Sequence, residues 1–296
     1  MKILYTSDLH GRIDFYQEII ALSRMREINA VILGGDMLPK GSSFKESLKA
    51  QIHFIENPFR QFLIQLKKNV DASLYIILGN DDWAATLPIF QKMEKDRLLH
   101  LLHNQTFQLS DELIIVGYPY VPPTPFSMKD FEKRDLIDDL PILTTGHPAV
   151  STSGFIEKIN ESVYFSQQCS IEEDMAVLPR PQSHQKAIYV MHAPPFCTAL
   201  DRLTDGKSIG SKAIRNFIDK EQPAITLHGH VHESPEVSGT YWQKIRETLS
   251  INPGQMNACF SAVILDPLKP LETLNHTLYG AIQVCSAIDS NCINQI

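Results

Sequence analysis

Lys2-Ile3-Leu4-Tyr5-Thr6-Ser7-Asp8-Leu9-His10-Gly11 opens the chain and decides how the rest is read. Residues 2–6 form a short apolar run with strand character, and it stops at once in an acid, an imidazole and a glycine. A helical pattern follows over residues 15–27, with Phe15, Ile19, Ile20 and Leu22 at helical spacing. The same sequence of events then recurs. Residues 30–33 read as a second strand, ending in Gly34-Gly35-Asp36, and residues 73–78 as a third, ending in Gly79-Asn80-Asp81-Asp82. Between them a helical stretch over 44–69 carries Pro58, whose missing amide donor should break or kink it. Residues 88–96 read as helix, and 106–109 with 113–116 as the strands of a hairpin.

Further along, residues 118–125 are proline-rich extended loop, 151–168 have helical spacing and 177–185 are loop. Together residues 118–185 read as an insertion into a single domain spanning 1–296, not as a second domain. Order returns with a strand at 187–191, a helix from about 211 to 220 and a strand at 224–227. More strands are expected near 236–242, 249–251 and 258–265, and the apolar tail after Thr277 should pack on the body. Strand-helix alternation followed by a strand-rich half implies an α/β sandwich, two facing sheets flanked by helices.

Composition narrows the function classes. The 296 residues are 43% hydrophobic and 21% charged, as in ordinary globular proteins. A net charge of -7 disfavours nucleic acid or an anionic membrane as partner, but leaves room for a local pocket that takes a phosphorylated small molecule. The polar start is too short for a signal peptide and no run reaches the roughly 18 apolar residues of a spanning helix, so a cytoplasmic protein is expected. Five cysteines without paired spacing read as free thiols.

The polar residues gather at strand ends. Asp8 and His10 follow the first strand, Asp36 the second, and Asn80, Asp81 and Asp82 the third; His192 follows the strand at 187–191, and His228, His230 and His232 the strand at 224–227. In an open α/β sheet, ligands bind beyond the carboxyl ends of strands. Each piece alone has an ordinary explanation. Gly35-Asp36 is common turn chemistry, residues 79–82 would serve as a helix cap, and a lone His192 is usually a satisfied histidine. Together, Asp8, His10, Asp36, Asn80, His192, His230 and His232 offer seven ligands, too many for one tetrahedral zinc. Two divalent cations sharing a carboxylate absorb that number, with manganese the first choice and iron, zinc, nickel or cobalt accepted by the same donors.

The ordered set Asp8-x-His10, Gly35-Asp36, Gly79-Asn80, His192 and Gly229-His230-x-His232 resembles the calcineurin-like metallophosphoesterase superfamily, with the match running to about Gly254. Residues 210–230 look like the end of a small prokaryotic-type subgroup, and Asn252-Pro253-Gly254 like the closing loop beside the site. The resemblance implies a four-layer αββα sandwich. It also implies that Asp8, His10 and His232 hold one metal and Asn80, His192 and His230 the other, with Asp36 bridging, while a bridging hydroxide attacks phosphorus. His228 falls outside the pattern. Where many members have histidine after the asparagine, this chain has Asp81. Asp81, helped by Asp82, is then the candidate acid; the alternative, which we favour, is that no side chain protonates the leaving group. His53 and His147 are outside candidates for that gap. Arg12 and Asn80 are candidate contacts to substrate phosphate. The expected activity is phosphodiester hydrolysis on a phosphorylated small molecule or nucleotide. A phosphomonoesterase and a catalytically silent scaffold are the alternatives; retention of all seven ligand positions argues against the scaffold. The oligomeric state is open.

Overall fold

The computed structural model describes residues 1–140, 144–152, 154–256 and 259–281. Strand β1 (Ile3–Thr6) leads through helix α1 (Ile13–Arg26) to β2 (Ala30–Gly34), and helices α2 (Phe44–Phe54) and α3 (Arg60–Asn69) lead on to β3 (Ser73–Ile77). Helix α4 (Leu87–Lys95) precedes β4 (His100–Leu101) and the hairpin β5 (Thr106–Ser110) and β6 (Leu113–Tyr118). A small pair, β7 (Ala149–Val150) and β8 (Glu157–Lys158), comes before α5 (Glu161–Ser166) and α6 (Ile171–Val177). Then follow β9 (Lys186–Met191), α7 (Lys212–Glu221), β10 (Ile225–Leu227), α8 (Ser234–Ser238), β11 (Trp242–Ile245) and β12 (Thr248–Ile251). The described chain closes with β13 (Val263–Leu265), α9 (Pro270–Thr273), β14 (Asn275–His276) and β15 (Gly280–Ala281).

Two sheets face each other. One has the order β15-β14-β13-β1-β2-β3-β4, the other β11-β12-β10-β9-β6-β5. Strands β1, β2 and β3 are parallel, as are β6, β9, β10 and β12, so each group delivers its carboxyl ends to one rim.

The layers follow from the two-residue period of side chains along a strand. Ile3, Tyr5, Ala30 and Ile32 meet Ile188, Val190, Ile225 and Leu227 between the sheets. The alternate residues Leu4, Val31 and Leu33 face outward against Phe15, Tyr16 and Ile19 of α1 and Phe62 and Leu66 of α3. On the other sheet Ala187, Tyr189 and Met191 face Ile171 and Met175 of α6 and Ala213, Ile214 and Phe217 of α7. This is the four-layer αββα arrangement. It explains why the central strands read as unbroken apolar runs: both of their faces are buried.

The interruption expected near Pro58 takes the form of a π-helical turn, Ile55–Phe59, that joins α2 to α3 and gives the proline ring room where no N–H is needed. Three local expectations change. Only Glu161–Ser166 of the expected 151–168 helix forms, because the Asn160 side chain accepts Val163 N–H and starts the helix there, after Gly154 and β-branched residues that favour extended chain. Residues 236–242 do not form a strand throughout: Pro235 in the first turn and Gly239 at φ 77° delimit α8, and β11 begins at Trp242. The strand expected at 258–265 is confined to Val263–Leu265. The tail after Thr277 adds β15 to the first sheet; its remaining residues lie outside those described.

Among the described residues no helix is long and apolar enough to cross a membrane. Cys169 and Cys259 are free, whereas Cys197 is disulfide-bonded, a departure from the expectation of free thiols.

Within residues 118–185 the structure buries a charged group. Lys129 Nζ, with no exposed side-chain surface, lies 2.7 Å from Glu132 Oε2 and donates to Thr124 O at 2.7 Å. Asp130 ties this region to the rim by accepting Ala84 N–H at 2.9 Å and Ser151 N–H at 2.8 Å.

Candidate metal centre

The loop after β1 is zipped to the loop after β2. Asp8 N–H donates to Gly35 O, His10 N–H to Asp36 O and Gly11 N–H to Met37 O, each at 2.9 Å. To point at a common centre, the backbone adopts left-handed conformations at four non-glycine positions: Asp8 (φ 58°), His10 (44°), Asp36 (50°) and His230 (67°). Each such residue costs on the order of 1–3 kcal/mol and persists only where its surroundings enforce it, which is common at functional sites. Gly79 has a different role, close approach. A Cβ there would lie 2.3 Å from Asp36 Oδ1 and 2.6 Å from His192 Nε2, inside the ring of polar groups.

The side chains converge. One ligand atom from each of Asp8, His10, Asp36 and His232 falls within 4.8 Å of all the others. His232 Nε2 is 3.2 Å from Asp8 Oδ1 and 3.2 Å from His10 Nε2. His192 Nε2 is 3.4 Å from Asp36 Oδ2 and 4.0 Å from Asp8 Oδ1, and its ring centroid is 5.5 Å from that of His230. Neighbouring backbone holds these groups in place. His192 Nδ1–H donates to Gly34 O at 2.8 Å, which fixes the ring and leaves Nε2 as the nitrogen facing the carboxylates. Asp81 N–H donates to Asp36 Oδ1 at 2.8 Å, His230 N–H donates to Asp8 at 3.1 Å, and Ser7 Oγ–H donates to Asp8 Oδ2.

These residues fit divalent cations. Asn80 Oδ1 and His192 Nε2 are buried without a hydrogen-bond partner among the described residues, although nearly all buried polar atoms in proteins have one. Two imidazole nitrogens at 3.2 Å, as in His10 and His232, match the separation of ligands on one ion with bonds of about 2.1 Å. The charges agree. Burial works to raise the carboxyl of Asp8, but His232 and His192 outweigh it and hold Asp8 at about 2. Burial likewise opposes ionisation of Asp36, and His192 and His10 hold it well below the usual carboxylate range. Burial opposes charge on His192, yet Asp36 and Asp8 raise it to about 10; burial, then His192, lower His230 to about 4. Protons on imidazole thus offset two buried carboxylates, a function that a cation would take over with proton release.

The other sequence-derived candidates are placed differently. Asp82 is fully buried, and its carboxylate accepts N–H groups of Met37 at 3.2 Å, Leu38 at 2.9 Å and Gly79 at 3.0 Å. It clasps the loops after β2 and β3, and an acid committed to three backbone donors is not presented to a substrate. Burial, then the charge of Asp36, push its carboxyl up to about 8 against those donors. We expect Asp82→Ala to lower stability by about 3 kcal/mol, read by urea unfolding, because it strands buried donors in both loops. An unchanged midpoint would show that the clasp is dispensable.

Arg12 turns toward Asp14, donating from Nε at 2.9 Å and Nη2 at 2.5 Å, and covers the Phe15 ring at 4.2 Å. Asp81 lies at the mouth, with Oδ2 3.9 Å from His10 Nδ1 and 2.6 Å from Lys40 Nζ. Asn80 Nδ2 is 3.4 Å from Asp81 Oδ1. His228 is satisfied away from the cluster, Nδ1 by Ala193 O and Nε2 by the Thr226 hydroxyl, both at 2.8 Å. His53 is exposed on α2 beside Asn57, and His147 is exposed too. Sequence reading missed Lys40 and Gln255, whose Nε2–H donates to Ser7 O at 3.3 Å, and noted Ser7 only as part of the opening block. Asn252 was noted only as part of a loop. Its amide donates to Leu200 O, Gly229 O and Val231 O, and so sets the path of the His230 segment.

No relative is found by sequence among curated proteins. A solved structure from Thermus thermophilus superposes with a TM-score of 0.54 at 12% identity, covering 93% of this chain and 97% of that one. A dimetal phosphatase from Danio rerio superposes with a TM-score of 0.50 at 8% identity, covering 89% of this chain and 92% of that one. At such identities the likeness shows a shared fold. The model of the calcineurin-like phosphoesterase family matches residues 1–234, and the chain belongs to that family.

Proposed function

We propose that this metal-dependent phosphoester hydrolase acts on phosphodiesters, of a small molecule or nucleotide in the cytoplasm, with two divalent cations of which manganese is the first choice. The observation that carries the diester reading is Asp81, a carboxylate 3.9 Å from His10 Nδ1 at the mouth of the cluster. A phosphomonoester carries close to two negative charges at neutral pH and a diester one; with Asp81 offset by Lys40 at 2.6 Å, the mouth adds no net positive charge for the second, which favours the diester. Nor does an imidazole stand at that position to protonate a poor leaving group, which favours esters of acidic alcohols.

Asp8, His10 and His232 would hold one cation and Asn80, His192 and His230 the other, with Asp36 shared. When bound, such a pair activates water and neutralises phosphoryl oxygens during in-line displacement. The chain's own part is to hold its donors still. Gly34 O fixes the His192 ring, Asp81 N–H orients the Asp36 carboxylate, and the Asn80 amide nitrogen lies 3.4 Å from Asp81 Oδ1.

With manganese-reconstituted protein, bis(p-nitrophenyl) phosphate should turn over about tenfold faster than p-nitrophenyl phosphate, the effect of one substrate charge left uncompensated near the surface. The reverse order would sink the diester reading in favour of a monoesterase.

A further inference from the structure

We infer that Lys40 is the cation that holds a substrate phosphoryl oxygen at the mouth of this site, with Asp81 as its tether. The inference rests on the phosphoester reading above and names a residue that the family pattern does not supply. Lys40 follows β2 by six residues, its Nζ lies 2.6 Å from Asp81 Oδ2, and its side chain is 60% exposed, reaching from solvent toward the cluster. Its charge is felt by His10 and His232, and it in turn feels Asp81, Asp36 and Asp8. Arg12, the other cation near the first ligands in sequence, is engaged by Asp14.

An exposed ion pair ordinarily contributes little to stability and wanders. This one is framed on both sides. The Asp82 carboxylate accepts N–H from Met37 and Leu38, three and two residues before Lys40, and also from Gly79. Gln51 Nε2–H donates to Asp81 O at 2.8 Å, and Gln51 Oε1 accepts Trp83 N–H at 2.8 Å. The backbone segments carrying Lys40 and Asp81 are therefore fastened to each other and to α2, which presents the ammonium at a defined place. An ammonium there donates to a non-bridging or leaving oxygen, while its partner carboxylate keeps it from collapsing onto Asp8 or Asp36.

The test uses the manganese-loaded full chain in wild-type, Lys40→Met and Lys40→Arg forms. Inorganic phosphate binding is followed by calorimetry, and turnover is measured on aryl methyl phosphates of graded leaving-group acidity. Lys40→Met should bind phosphate about tenfold more weakly and show a steeper dependence on leaving-group acidity. Lys40→Arg should recover most of the binding, and manganese content should be equal in all three. Equal phosphate affinity and equal slope in Lys40→Met would overturn the inference, as would loss of manganese from that variant. If the wild type hydrolyses none of the esters while phosphate binding still falls in Lys40→Met, the ester-hydrolysis reading fails and the role of Lys40 stands.

Discussion

Asp36→Asn should leave a folded protein that has lost its turnover of bis(p-nitrophenyl) phosphate by roughly three orders of magnitude, equivalent to about 4 kcal/mol of transition-state stabilisation. The amide keeps the shape of the side chain and an oxygen to accept Asp81 N–H, now at 2.8 Å. What it removes is the negative charge that two cations would share, in a position 2% exposed to solvent and 3.4 Å from His192 Nε2. Elemental analysis should show fewer than two manganese ions per chain, with the circular dichroism of the wild type. Unchanged metal content and turnover would mean that the cluster around Asp36 is not the metal centre.

Gly79→Ala should do comparable damage with a single methyl group. The added Cβ would meet Asp36 Oδ1 at 2.3 Å, Asp36 N at 2.6 Å and His192 Nε2 at 2.6 Å. One of these contacts is backbone, so the methyl is not accommodated by swinging a side chain aside. The loop after β3 must retreat and carry Asn80 with it. We expect a stability loss of about 2 kcal/mol, as for other overpacked sites, and turnover at least about 100-fold lower. A variant with wild-type turnover would show that the loop shifts freely, and that the position of Asn80 matters little.

Much of this was legible in the sequence because parallel strands convert sequence position into spatial position. Asp8, Asp36, Asn80, His192 and the 228–232 segment each follow a strand, and adjacent parallel strands bring those ends together whatever the connections are. Direction and reach were harder to read. Arg12 is two residues from His10, but sequence does not reveal that Asp14 draws its guanidinium away. The carboxylate of Asp82 accepts from amides 44 and 45 residues earlier, contacts that no local pattern encodes. Lys40 escaped notice because its relevance comes from a long side chain meeting Asp81 across two loops. Within residues 118–185, Lys129 and Glu132 look like surface residues and are in fact fully buried, a pairing that only tertiary structure could supply.

The proposed ligands are divided between the two sheets. Asp8, His10, Asp36 and Asn80 follow strands of one, and His192, His230 and His232 follow strands of the other. During synthesis on the ribosome, the first four emerge well before the last three. A nascent chain that has reached β6 has an unpaired acidic rim but no imidazoles from the second sheet to close it. If these residues hold the cations as proposed, loading would belong to the final stage of biosynthesis, once β10 has emerged and docked beside β9. Manganese supplied to stalled nascent chains should be retained only by those stalled far enough beyond residue 232 for β10 and the histidines after it to have left the ribosome.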